Sequence, residues 1–126
     1  MKLNIDCVRD VMLTLEEAEY GELTTISTLC KKLEDKYTEE EITYTCLKLD
    51  EGGLIDAMLV SMMNSSMKGV KAINDITFEG HQFLEDIRKN STWNIIKDKA
   101  LKIGSFSIKT LVAIAEKVIA DLIINN

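Results

Sequence analysis

The sequence predicts a mainly helical α+β fold: a winged helix-turn-helix with a two-stranded wing and a C-terminal helical extension. Three observations predict it. Three amphipathic segments with helical spacing fill the first fifty residues, two short apolar segments of strand length follow, and helical patterns then return. The 126 residues and their 46% apolar content are sufficient for a hydrophobic core.

The first three helices are marked by capping residues and by apolar residues at helical spacing. Asn4 can cap the first helix, whose apolar face is Ile5, Val8, Met12 and Leu15. Residues 23–26 form either a short strand or an extended segment, and Thr24 or Thr25 then caps the second helix. The third helix begins with a capping box of Thr38 and Glu41 and ends at Gly52-Gly53.

A hairpin and three further helices follow. Residues 54–60 and 70–76 are the expected wing strands, and Asn64-Ser65-Ser66 supplies the turn between them. Thr77 can cap a fourth helix, with Phe78, Leu84 and Ile87 as its apolar residues. A fifth helix, capped within Asn90-Ser91-Thr92, has Trp93, Ile96, Ala100 and Ile103 on one face, and Gly104-Ser105 separates it from a last helix. We therefore expect a winged-helix domain at 1–90 and a helical extension at 91–126.

Several blocks of this sequence resemble an uncharacterised family of short winged-helix proteins from Gram-positive bacteria and their prophages. The blocks are Asp6 to Asp10, the Gly-Leu-Ile run at 53–55, residues 76–88 and Trp93, and the run from Gly80 to Arg88 is the most specific. The resemblance implies a winged-helix fold and a mobile-element setting. The family has no established activity, so the resemblance assigns no functional residue.

The predicted recognition helix, residues 38–51, decides whether this fold binds DNA. The net charge of −6 lies in the first fifty residues, which hold 6 basic and 12 acidic side chains. The helix itself starts with three glutamates, which repel phosphate. By analogy of fold we still expect a small DNA-binding transcriptional regulator. Its candidate contacts to duplex DNA are Lys31, Lys32, Lys36, Thr43, Tyr44, Lys48, Lys68 and Lys71.

The alternative is an acidic protein–protein interaction module, such as a phage factor that engages or inhibits a host protein. Four of the six methionines lie in one ten-residue stretch of the predicted wing, residues 58–67. Flexible methionine surfaces adapt to protein partners. Inward packing of Met58 and one neighbour is an equally good explanation of that cluster. The candidate protein contacts are Met62, Met63, Met67, Glu39 and Glu40.

The last helix carries a broad apolar stripe. Its a/d seam consists of Ile108, Leu111, Ala115, Val118 and Leu122, and Val112, Ile119 and Ile123 widen it. Either this helix packs back across the Trp93 helix, or it pairs with a second copy. We expect a homodimer formed through the seam.

Catalysis, metal binding and a cofactor are not predicted. His81 is the single histidine, and Cys7, Cys30 and Cys46 are too far apart for a metal or disulfide framework. No apolar run approaches the roughly 20 residues of a membrane span. The polar residues near the start exclude a typical signal peptide. We therefore expect a cytoplasmic protein with reduced thiols and no membrane partner.

Overall fold

A computed structural model of the chain describes residues 1–63, 65–104 and 106–125. Within these residues the chain forms six helices and one two-stranded antiparallel sheet, so it is a mostly helical α+β protein. The elements in chain order are α1 (Ile5–Leu15), α2 (Ile26–Lys32), α3 (Glu39–Glu51), β1 (Ile55–Ser61), β2 (Lys68–Ile76), α4 (Phe78–Ile87), α5 (Asn90–Ile103) and α6 (Ile108–Ile124).

Side-chain caps fix the beginnings of the first four helices where the sequence places them. Asn4 accepts hydrogen bonds from the amides of Asp6 and Cys7, and Thr25 and Thr77 cap α2 and α4 in the same way. The predicted cap of α5 is wrong. That helix already begins at Asn90, so its N-cap position is Lys89, which forms no side-chain cap hydrogen bond; the Asn90 side chain accepts a hydrogen bond from Arg9.

The capping box of α3 is formed as predicted. Thr38 Oγ1 accepts a hydrogen bond from the Glu41 amide at 3.1 Å, and the Glu41 carboxylate accepts one from the Thr38 amide at 3.1 Å. Asn4 also donates to Glu41, which ties α3 to the start of α1. These hydrogen bonds hold the pKa of Glu41 below its ordinary value, with the Thr38 amide as the largest cause.

Replacing Thr38 with alanine should lower the free energy of unfolding by about 1 kcal/mol, because the Glu41 amide at the start of α3 loses its hydrogen-bond acceptor, the Thr38 hydroxyl. Urea denaturation followed by circular dichroism measures this change. Ser27→Ala, on the exposed face of α2, is the control and should leave the midpoint nearly unchanged. Equal midpoints for both variants would contradict a stabilising role of the box.

The sheet is a single hairpin. Its register runs from Ile55 opposite Ile76 to Ser61 opposite Lys68, with two irregularities along β1. Thr24 adds an isolated bridge to Ile73, with N···O distances of 3.0 and 2.7 Å, so the expected extended segment at 23–26 pairs at this residue alone. Asn64 and Ser105, predicted to help form the hairpin turn and the α5–α6 break, lie outside the described residues.

One hydrophobic core joins the helices and the hairpin. Trp93, Ile96 and Ala100 of α5 belong to it together with residues of α1, α3 and α6. Two predicted core positions are wrong: Phe78 is 74% exposed and Ile103 is 58% exposed. Phe83, five residues after Phe78, has the helical phase of Leu84 and Ile87 and takes the buried position. The hydrophobic core includes residues from both sides of residue 90. The division into two domains at this residue stays a prediction.

Candidate interaction surface

The outward face of α3 is acidic at its start and mixed at its end. Ile42, Thr45, Cys46 and Leu49 face the core. Glu39 and Glu40 are exposed in the first turn, where negative charge also favours the positive end of the helix dipole. Thr43, Tyr44 and Lys48 are half-buried. Two exposed carboxylates, Glu39 and Glu40, therefore precede Thr43 and Tyr44 along the helix, and these are the residues predicted to approach base edges.

Tyr44 and Lys48 are half-buried because other parts of the chain flank them. They line a cleft of about 730 Å³ together with Leu3 near the start of the chain and Phe106 before α6. Lys48 Nζ lies 3.0 Å from the Glu51 carboxylate and 5.4 Å from the centre of the Tyr44 ring. The hydrogen bond to Glu51 raises the pKa of Lys48. The single cation of α3 is thus paired within its own helix.

Two further predicted lysines are also paired. Lys32 Nζ lies 3.4 Å from the Glu17 carboxylate, just beyond α1, and Lys36 Nζ lies 3.0 Å from the Asp10 carboxylate, within α1. Asp10 also accepts a hydrogen bond of 2.6 Å from the hydroxyl of Tyr37. The hydrogen bond to Asp10 raises the pKa of Lys36. These two ammonium groups are directed towards α1 and its C-terminal end.

The remaining predicted lysines are exposed. Lys31 lies on α2, and Lys68 and Lys71 lie on β2. In the described part of the chain, none of the three forms an ion pair. The six lysines are thus spread over α2, the turn before α3, the end of α3 and strand β2, and three of them are opposed by carboxylates.

The methionines of the hairpin are mostly exposed. Met62, Met63 and Met67 are 51%, 87% and 50% exposed, whereas Met58 is half-buried on β1. Met62 lies over Gly69, since a Cβ atom on that glycine would come within 2.7 Å of the Met62 sulfur. The tip of the hairpin therefore offers flexible apolar side chains to solvent, and inward packing accounts for Met58 alone.

Most side chains of the predicted dimer seam are buried inside one chain. Ile108, Leu111, Ala115 and Val118 are 5%, 0%, 0% and 2% exposed, and Leu122 is half-buried. The cause is that α6 packs on α4 and α5 of the same chain, as in the packing-back alternative. These four side chains are therefore packed within one chain in this structure, a second copy would meet mainly the other faces of α6, and the homodimer stays a prediction.

Burial acts on all three cysteine thiols. It raises the pKa of Cys7 to about 11, and it also raises the pKa of Cys46 and of Cys30. Among the described residues there is no group of three or more potential metal ligands. None of the helices in this part of the chain has the length and apolarity needed to cross a membrane.

Comparison with known proteins identifies the family. Residues 2–107 match the model of a family described as hypothetical protein DUF2513. The chain belongs to the DUF2513 family. An uncharacterized protein from Haemophilus influenzae is 28% identical over 130 residues, covering 98% of this chain and 99% of that protein. No solved structure matches the chain. Membership of an uncharacterised family is thus confirmed, whereas a Gram-positive or prophage origin stays a prediction.

The most specific block of this DUF2513 protein, residues 80–88, contributes to packing and to ion pairing within the fold. Phe83, Leu84 and Ile87 are buried in the core, and Gly80 lies against the backbone of Leu54. Arg88 donates two hydrogen bonds, of 2.7 and 2.6 Å, to the Glu16 carboxylate, which lowers the pKa of Glu16. The block at 80–88 therefore fixes the position of α4 against the hairpin and α1.

The block at the start of α1 also holds helices together. Arg9 donates hydrogen bonds to the carbonyl oxygens of Ile87 and Arg88 at 2.9 and 2.7 Å, and its guanidinium lies 5.6 Å from the centre of the Trp93 ring. Lys97 of α5 lies 2.8 Å from the Asp6 carboxylate. Because these charged groups are satisfied within the chain, they are poor candidates for binding a ligand.

Proposed function

We propose that this DUF2513 protein has a winged-helix fold whose α3 face and hairpin tip bind a partner protein. The element order α1–α2–α3–β1–β2 and the Thr24–Ile73 bridge support the winged-helix assignment. The observation that carries the function is the pairing of Lys32, Lys36 and Lys48 with carboxylates of the same chain.

Binding of duplex DNA requires free cations at the phosphates, because affinity comes largely from counterion release. Lys32, Lys36 and Lys48 would first have to leave Glu17, Asp10 and Glu51, and those carboxylates would then face the phosphates. A partner protein with a basic patch avoids this repulsion. It would pair with Glu39 and Glu40, and the exposed methionines of the hairpin tip would fit an apolar patch beside it.

A DNA-binding transcriptional regulator is the second candidate function. It is favoured by the exposed, unopposed lysines on β2 and α2, namely Lys68, Lys71 and Lys31. A wing strand that carries two lysines is suited to contact phosphates even when the recognition helix is acidic. Capture of a partner protein from lysate and anisotropy with duplex DNA, both described below, separate the two functions.

We place the protein partner in the cytoplasm, as expected for a phage factor that engages or inhibits a host protein. A homodimer belongs to the proposal as well, with the exposed side of α6 that carries Ala113 and Lys117 as its contact. Light scattering measures the mass of the chain in solution, and a mass of 14.2 kDa would exclude the dimer.

Reversal of the two exposed charges on α3 should abolish capture of the partner. Tagged wild type and the Glu39→Lys/Glu40→Lys variant are incubated with bacterial lysate, and the bound proteins are quantified by mass spectrometry. We expect at least one bound protein whose recovery falls roughly tenfold or more, because two attractive charge pairs become repulsive. The control is Glu19→Lys/Glu22→Lys, an equal charge change on exposed residues of the α1–α2 loop, which should retain the partner.

Fluorescence anisotropy with labelled duplex DNA at low salt supplies the opposing test. We expect no binding tighter than about 100 µM, the weak end of non-specific affinity. Salt-dependent binding of the wild type that Lys68→Glu/Lys71→Glu removes would instead establish the DNA-binding alternative. Loss of capture in the loop control as well as in the α3 variant would also contradict the proposed surface.

A further inference from the structure

A groove of about 830 Å³ lies between α4 and α6, away from the hairpin tip. Its apolar floor includes Val112, Ile119 and Ile123. Val112 and Ile119 are half-buried, and Ile123 is 72% exposed. The lining runs along α6 from Ile108 to Ile123, a length of about 22 Å at 1.5 Å per residue. This length suits a helical peptide of about four turns.

The rim of the groove is acidic. Four carboxylates and one lysine line it: Glu51, Glu79, Asp86, Glu116 and Lys109. Asp86 is half-buried and, among the described residues, forms no ion pair. Burial raises the pKa of Asp86 first, and the neighbouring charges of Glu116 and Glu85 raise it further. A cation placed between Asp86 and Glu116 would offset the repulsion between these two carboxylates.

The same charges argue against a second copy as the occupant. In a two-fold symmetric contact through this groove, each acidic rim would meet the acidic rim of the other copy. Like charges brought together at an interface oppose binding. A partner with basic side chains beside an apolar stripe fits both the floor and the rim.

We infer that the α4–α6 groove docks a basic amphipathic helix of the partner protein, with its apolar stripe on the floor and its lysines or arginines at Asp86 and Glu116. The helix-in-groove mode supplies apolar anchors one turn apart, and the rim selects the charge of the sequence around them. This inference rests on the proposed protein-binding function. Its test is separate, because it uses a defined peptide and variants of α6.

The probe is a fluorescein-labelled peptide of about 15 residues, with leucines at positions i, i+3, i+4 and i+7 and lysines elsewhere. Anisotropy measures its Kd for the full chain. We expect Ile123→Ser to weaken binding about tenfold, the loss typical of one buried aliphatic side chain. Ile124→Ser is the matched control: Ile124 is 79% exposed and absent from the groove lining, so its replacement should leave the Kd unchanged.

A second pair of variants tests the rim, and each variant removes one negative charge. Glu116→Gln should weaken binding of the peptide several-fold, whereas Glu22→Gln in the α1–α2 loop, which is exposed and outside both proposed surfaces, should not. A peptide with glutamates in place of the lysines should not bind. Equal effects of Ile123→Ser and Ile124→Ser, or binding of the acidic peptide, would overturn the inference. So would a wild-type dimer that Ile123→Ser converts to a monomer, because the second copy would then occupy the groove.

Discussion

Replacing Gly80 with alanine is expected to destabilise the protein by about 3 kcal/mol, although the same change in an ordinary helix stabilises by up to about 1 kcal/mol. The reason is the close approach of α4 to the chain after α3. A Cβ atom at this position would overlap the carbonyl oxygen of Leu54 and would lie 2.6 Å from Cγ2 of Ile76. The carbonyl belongs to the backbone, so relief requires a shift of the whole α4 helix.

Urea denaturation followed by circular dichroism measures the effect. His81→Ala, on the next residue of α4, is the control, because His81 is exposed and its truncation should change the free energy by less than about 0.5 kcal/mol. A Gly80→Ala variant as stable as wild type, or more stable, would mean that α4 can move away from Leu54 without loss. The change also tests the structural explanation of the block at 80–88.

Local signals in the sequence predict the helices and strands well, because caps and apolar spacing act over a few residues. Thr38 and Glu41 are three positions apart, and their capping box forms as the sequence indicates. The start of α5 could not be predicted in this way. Asparagine is a residue type that favours N-caps, but the helix already begins at Asn90. The Asn90 side chain instead accepts a hydrogen bond from Arg9, which lies 81 positions earlier in the chain.

The candidate surfaces depend on tertiary contacts and were predictable only in part. The acidic start of α3 and the methionines of the hairpin are visible in the sequence, and the structure leaves both exposed. The ion pair of Lys36 with Asp10 joins residues 26 positions apart, and no local pattern indicates it. The α4–α6 groove had a partial signal in the breadth of the apolar stripe on α6, which exceeds what the core of one chain covers.

Truncation of Trp93 should produce the second large effect. We expect Trp93→Ala to lower the free energy of unfolding by about 3–5 kcal/mol, because the ring is 5% exposed within the hydrophobic core and its removal leaves a cavity there. That loss is a large part of the roughly 5–15 kcal/mol that stabilises a domain. Arg9 also loses the ring beneath its guanidinium, while its hydrogen bonds to Ile87 and Arg88 remain available.

Trp93 is the only tryptophan of the chain, so circular dichroism rather than intrinsic fluorescence has to follow the unfolding of this variant. Trp93→Phe should recover a substantial part of the loss, since a smaller ring still fills much of the site. Tyr20→Ala is the control for removal of an aromatic ring, because Tyr20 is fully exposed and its loss should change the free energy by less than about 0.5 kcal/mol. A loss below about 1 kcal/mol for Trp93→Ala would contradict a close-packed ring in the core, because it would show that the site collapses around the smaller side chain.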